Sequence, residues 1–411
     1  MRIIYFIVIL CSVHFFGLYY SVWENGNDLI DFIFYVLAFL ILGKHFIQKN
    51  KYQFVKKSRV FTKPIIYLFV TLIVSAISCF VHHSQAPFLT ILAMRYFSYF
   101  LVYFILLRFG VDKKTVIKTI IAGAFVYMLV LTIQTIIYPN MIVPARNAGF
   151  SRGFFRLRLE GVGFVTLTGF YALNTFLLNK TKKKYLFLYL LCLVFVLVLG
   201  FRTLLLTYLF SSILLVLYIN NSVQKIMLMG ILFVCAGLLF LQIKLIQDFV
   251  FDSIALTQEQ ISEGDEYIRF LTFDFLFDRV NKNLWSLFFG NGRGFLGTDY
   301  GDLILIRGSK INGFIAADLG LIGFVFYYGI SSLIAFLNIV RKAVVIKLPK
   351  QGIYLKIFFI YLTISSITTS EIYRDGVFGV MMMALYLITY MRHDILQKEG
   401  DHKINEANVK K

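Results

Sequence analysis

The residues best suited to chemistry in this sequence are arginines in places where charge is costly. Arg95 lies in the middle of the apolar run LTILAMRYFSYFLVYF, where a guanidinium in a bilayer costs about 3 kcal/mol or more unless it faces a partner or water. Its default reading is functional; the alternative is an ion pair serving helix packing. Arg202 sits in the turn LGFRTLL between two apolar runs. It can face a substrate anion, or snorkel to a lipid phosphate. Arg146, Arg152, Arg156 and Arg158 fall within the segment 139–160, PNMIVPARNAGFSRGFFRLRLE, with Glu160 at the head of the next run. A planar guanidinium donates two parallel charge-assisted hydrogen bonds to a phosphate, so such a set suits an anionic ligand. Non-specific contact with headgroups is the competing reading.

The elements that must hold these side chains are membrane helices. Of the 411 residues, 59% are apolar and 15% charged, with 45 Phe and 25 Tyr. Such proportions exclude a disordered chain and an ordinary soluble enzyme. A bilayer core of about 30 Å needs roughly 20 apolar residues in a helix. Twelve runs qualify: 3–20, 29–47, 64–82, 89–108, 116–138, 161–179, 185–200, 203–219, 226–245, 312–339, 355–370 and 377–391. The first sits behind Arg2 like a signal peptide, but no small-x-small site follows it, so it reads as a span. The expected fold class is therefore all-α, a polytopic integral membrane protein. Its units are spans one to nine in 1–245 with the arginine-rich loop at 139–160, a large extracytoplasmic loop at 246–311, three spans in 312–391, and a cytoplasmic tail at 392–411.

Charge sets the orientation. With the N-terminus inside, Arg2, the alternate loops and the tail hold 27 of the 41 Lys and Arg but 5 of the 22 Asp and Glu, a net of +22; the remainder of the chain carries −3 of the total +19. That asymmetry predicts an inner-membrane protein with both termini cytoplasmic. It also removes nucleic acid as a partner, since the positive charge is spent on topology.

The 246–311 loop is long and aromatic. Within it, Asp265 to Leu287 shows helical spacing (Phe270, Phe273, Phe277) and predicts an amphipathic helix at the membrane surface. Asp265 with Arg269 and Asp278 with Lys282 are four apart, the spacing of solvent-face ion pairs. GNGRGF at 290–295 permits a tight turn and a close approach of ligand to backbone; it lacks the Lys-Ser/Thr of a phosphate loop. Cys11, Cys79, Cys192 and Cys235 lie in apolar spans without CxxC spacing and read as packing residues. His14 and His45 are isolated, and His82 and His83 have no Asp, Glu or Cys nearby. No metal is expected.

Outward arginines, a large aromatic loop and about a dozen spans suit an enzyme handling a lipid-linked pyrophosphate. Cations would hold the pyrophosphate and neutralise the leaving group, and a carboxylate or imidazole would take the proton of the attacking hydroxyl. Here the sequence resembles the bacterial O-antigen and capsule repeat-unit polymerases (Wzy type) and the related O-antigen ligases. The resemblance rests on GFRT at 200–203, YIRF at 267–270, LFFGNGRGF at 287–295 and ADLGLIGFVFYYGI at 317–330, with RLEG at 158–161 a weaker match.

The resemblance implies a glycosyltransferase working on the outer face on a polyprenyl-pyrophosphate-linked glycan, without metal, cofactor or nucleotide sugar. Arg202 and Arg269 are the implied pyrophosphate contacts, with Arg158 next. Arg95, Arg152 and Arg156 complete the candidate set. A chain-length regulator is a companion such a polymerase can have. The ligases carry a His before the span after the large loop, where this chain reads SKINGF at 309–314; this favours polymerase over ligase. The base is then open between Asp318 and Glu371, with Asp318 ranked ahead and a helix cap or ion pair as its alternative role. A flippase for the same lipid-linked unit is the rival from another class, although transporters tend to show paired repeats.

Overall fold

The computed structural model describes residues 2–21, 26–47, 60–219 apart from 139, 141, 144–148, 152–153 and 158, then 267–373 and 376–409. These form helices α1 (Arg2–Cys11), α2 (Gly26–Ile47), α3 (Thr62–His83), α4 (Pro87–Ala93), α5 (Leu101–Phe109), α6 (Lys113–Ile137), α7 (Val162–Leu178), α8 (Lys183–Val198) and α9 (Arg202–Ile219). After the undescribed stretch come α10 (Ile268–Asp274), α11 (Leu284–Phe289), α12 (Leu321–Val345), α13 (Ile353–Ser365) and α14 (Phe378–Val409). A hairpin of β1 (Gly149–Ser151) and β2 (Phe154–Arg156), antiparallel with Gly149 opposite Arg156, is a small departure from the all-helical expectation. The expected span 226–245, Cys235 and the loop up to residue 266, including Asp265, lie outside the described residues.

This is a helical membrane protein. Among the described residues, α3, α6, α9 and α12 are long and apolar enough to cross a membrane, and a fifth span forms if α4 and the segment Arg95–Phe109, bent by 64°, count as one. Helix α3 shows why the exterior must be lipid. Its inner face buries Ile65, Leu68, Leu72, Ala76 and Cys79, yet Ile66, Val70, Ile73, Ile77 and Val81 on the other face are exposed. A helix apolar all round is buried in a large core or spans a membrane, and here its outer face has no core to cover it. At the centre lie α7, α13 and α14, where Val380 to Leu385 are fully buried.

Three runs are divided differently from the sequence expectation. The first, 3–20, is helical only to Cys11; His14, Phe15 and Phe16 then adopt left-handed φ of 45°, 49° and 58°. Such residues cost about 1–3 kcal/mol each and persist where their surroundings fix them. The run at 312–339 begins as helix only at Leu321, after a short 3-10 turn at Ala316–Leu319. The loop helix over 265–287 becomes α10, a wider π-type turn at Phe275–Val280, and α11. Asn283 causes the last break, because its side chain caps Ser286 N at 2.9 Å while Ser286 Oγ accepts from Asn283 N.

Candidate functional site

Short turns at 179–182 and 199–201 make α7, α8 and α9 alternate in direction, so the first residues of α7 and α9 share one end of the bundle. At this end two assemblies meet.

The first is buried and ionic. Arg95 opens the bent segment after α4, and its Nε donates to Asp31 Oδ2 at 2.6 Å. Asp31 Oδ1 accepts from the Tyr99 hydroxyl and lies 3.1 Å from His14 Nε2. The other imidazole nitrogen, Nδ1, bonds to Glu160 Oε2. An imidazole can donate to carboxylates from both nitrogens only when doubly protonated. The cluster then balances two cations against two anions, as buried charge requires. Its middle is closed and its ends are open: the side chains of His14 and Asp31 are 5% and 7% exposed, those of Glu160 and Arg95 26% and 28%. The Tyr35 hydroxyl donates to the Arg95 carbonyl at 3.0 Å, fixing that backbone.

The second assembly is aromatic. Gly329, at φ 81° and ψ 164°, interrupts α12 and leaves the carbonyls of the preceding turn without helical donors. The GNGRGF loop supplies them: Asn291 N donates to Phe326 O at 3.0 Å and Gly292 N to Tyr327 O at 2.8 Å, while Ser75 Oγ of α3 also donates to Tyr327 O at 2.9 Å. Buried Gln85 holds the next stretch with both ends of its amide, donating to the Arg293 carbonyl at 2.9 Å and accepting from Phe295 N at 2.9 Å and Thr298 Oγ1 at 2.8 Å. Arg293 is thereby set over the Tyr96 ring, 4.8 Å from its centroid, within cation–π range.

The two assemblies form one circuit. Tyr96, adjacent to Arg95, shares a hydrogen bond with the Tyr328 hydroxyl, and Tyr328 lies edge-on to Tyr373 at 6.1 Å. Tyr373 donates to Gly320 O at 3.0 Å. Burial raises its phenol well above the ordinary range; Tyr327, Tyr96 and Asp318 push the same way and Arg293 opposes them. Three residues on, Gly376 packs against Glu160, where an added Cβ would lie 2.9 Å from the Glu160 Cβ.

The predicted residues fall around this circuit unevenly. Arg95 is in it, with Asp31 as its partner. Asp318 borders it through Tyr373, partly exposed in the turn before α12. Glu371 is buried, 2% exposed, in the short turn Glu371–Tyr373. Arg269 lies near the start of α10, its guanidinium 5.9 Å from the Tyr267 ring, and α10 packs against the turn that carries Asp318. Arg202 is the first residue of α9, half-buried, after Gly200 in a left-handed turn. Arg156 is in β2, while Arg146, Arg152 and Arg158 lie outside the described residues.

Sequence reasoning missed Asp31, His14, Glu160 and Arg293 as site residues. Asp31 carried the same signal as Arg95, a charge inside an apolar run. Arg293 lies in GNGRGF, whose glycines signal a tight turn and a close approach of ligand to backbone but give its arginine no role. Among the described residues no three His, Cys, Asp or Glu side chains could hold a metal ion.

The bundle and site define the class, a helical membrane protein with a buried ionic cluster and an arginine–tyrosine assembly at one end. Among protein-family models and curated proteins, nothing matches the chain.

Proposed function

We propose that the protein polymerises polyprenyl-pyrophosphate-linked oligosaccharide repeat units into O-antigen, capsule or exopolysaccharide on the outer face of the cytoplasmic membrane. The observation that carries this reading is the circuit, in which Arg95 and Arg293 stand with carboxylates and tyrosines at one end of the bundle. Guanidinium groups suit a pyrophosphate leaving group, carboxylates suit proton removal, and tyrosine faces suit sugar rings. The twelve-span topology belongs to the same proposal. With the run at 226–245 as the ninth span and the N-terminus inside, the lysine and arginine asymmetry supports a circuit on the outer face. Two sequence motifs carrying the family resemblance, LFFGNGRGF and ADLGLIGFVFYYGI, are those that bond to each other across the Gly329 break.

The ligase remains the second reading, on a specific observation: the imidazole absent from SKINGF is present in the site as His14. A strain deleted for the gene distinguishes the readings. Loss of a polymerase leaves surface lipid with a single repeat unit, loss of a ligase strands long polymer on the carrier, and loss of a flippase traps single units inside. Unchanged long-chain surface glycan would contradict all three.

A further inference from the structure

We infer that Glu160 is the group that takes the proton from the acceptor sugar hydroxyl, held for that task by His14 and Asp31; this rests on the polymerase reading. Four observations lead to it. Glu160 is the partly exposed end of a chain of contacts whose middle members are closed to solvent. The other end of the chain of contacts is Arg95, so a carboxylate and a guanidinium reach the exterior linked through buried Asp31 and His14. His14 is delivered by three successive non-glycine residues in left-handed conformation, a strained arrangement of the kind found where geometry serves chemistry. Lastly, Glu160 packs on Gly376, which follows Tyr373 of the tyrosine and Arg293 assembly by three residues.

The step balances without a further reactant. The acceptor hydroxyl oxygen forms a bond to the anomeric carbon of the donor glycan. The bond from that carbon to the pyrophosphate oxygen breaks, and its electron pair leaves with the polyprenyl pyrophosphate. The hydroxyl proton passes to the Glu160 carboxylate. Glu160 is the catalytic residue in this scheme; His14 and Asp31 are positioning residues. The groups facing the imidazole and its carboxylates are Arg95, Tyr99, Tyr35 and Cys11, in addition to Asp31 and Glu160. A structural ion-pair cluster is the rival account, and it predicts that Glu160 matters for folding alone.

The test uses membranes containing the full chain and, as substrate, the lipid-linked single repeat unit extracted from the deletion strain. Turnover and KM are measured across pH for wild type, Glu160→Gln and Glu160→Asp, with membrane level and thermal stability followed in parallel. Glu160→Gln should lose about 10²–10⁴-fold in turnover, with KM and membrane level near wild type and the acidic limb of the pH–rate profile gone. Glu160→Asp, which keeps the carboxylate, should recover part of the turnover and the acidic limb. The inference is overturned if Glu160→Gln extends chains like wild type, or if Gln and Asp lose turnover equally. Wild type that leaves the unit unextended overturns the polymerase reading and this inference together; normal extension by wild type and Glu160→Gln alike overturns this inference alone.

Discussion

His14 and Glu160 stand 146 positions apart in the sequence and are joined by a hydrogen bond from imidazole to carboxylate. The contact fixes the end of the first apolar run to the head of α7. His14 lies just beyond the break after Cys11, where its imidazole meets Asp31 and Glu160. There the buried charge has the partners it needs.

Asp31 accepts from three donors, Arg95, His14 and Tyr99. Asp31→Ala removes the buried carboxylate that Arg95 and His14 share and should destabilise the protein by about 3–5 kcal/mol, read by thermal unfolding in detergent. Asp31→Asn combined with Arg95→Gln should cost less than the two single changes summed. Strict additivity would show that the pair is uncoupled.

Gly292 has φ of 70°, and a Cβ there would come within 2.6 Å of the Cys79 Cβ and 2.7 Å of Thr90 Cγ2. Gly292→Ala should therefore lift the GNGRGF loop off α12, at about 1–3 kcal/mol from strain alone. Because the loop seats Arg293, chain extension should fall as well. Wild-type stability and extension in this variant would separate the loop from the site.

Asp112 caps α6, accepting from Thr115 N at 2.9 Å and Thr115 Oγ1 at 2.6 Å, and these bonds hold its carboxyl below the ordinary value. A lowered carboxyl stabilises fully above its unfolded pKa, near 3.9, and the contribution is lost as pH falls through the folded value. Asp112→Ala should cost about 1 kcal/mol at neutral pH. The gap between variant and wild type should close below about pH 4, which melting curves between pH 7 and 3 would show. A gap that is constant with pH would mean that the carboxylate is not the capping group.

Periodicity and hydropathy made much of the helical framework readable, since lipid demands a long apolar run from each span. Arg95 was legible for the same reason: its cost in an apolar run marks it from sequence alone. The breaks were less visible. Nothing in IVILCSVHFFGLYY shows that its helix stops at Cys11, and the partners of His14 beyond it lie at residues 31 and 160. The join between GNGRGF and the Gly329 break was equally hidden, although both segments stood out separately. It depends on backbone groups that the interrupted helix leaves open, and backbone bonding carries no residue-type signature.

The central claim is chain extension, and it is tested most directly in proteoliposomes. The full-length protein would be given the lipid-linked single repeat unit from the deletion strain, and the length of the carrier-bound glycan measured with time. Wild type should build a ladder of lengthening chains and release polyprenyl pyrophosphate. Arg202→Ala and Arg269→Ala should insert normally and leave the single unit unextended. A wild-type protein that moves the unit across the bilayer without lengthening it, or arginine variants that extend chains normally, would contradict the account.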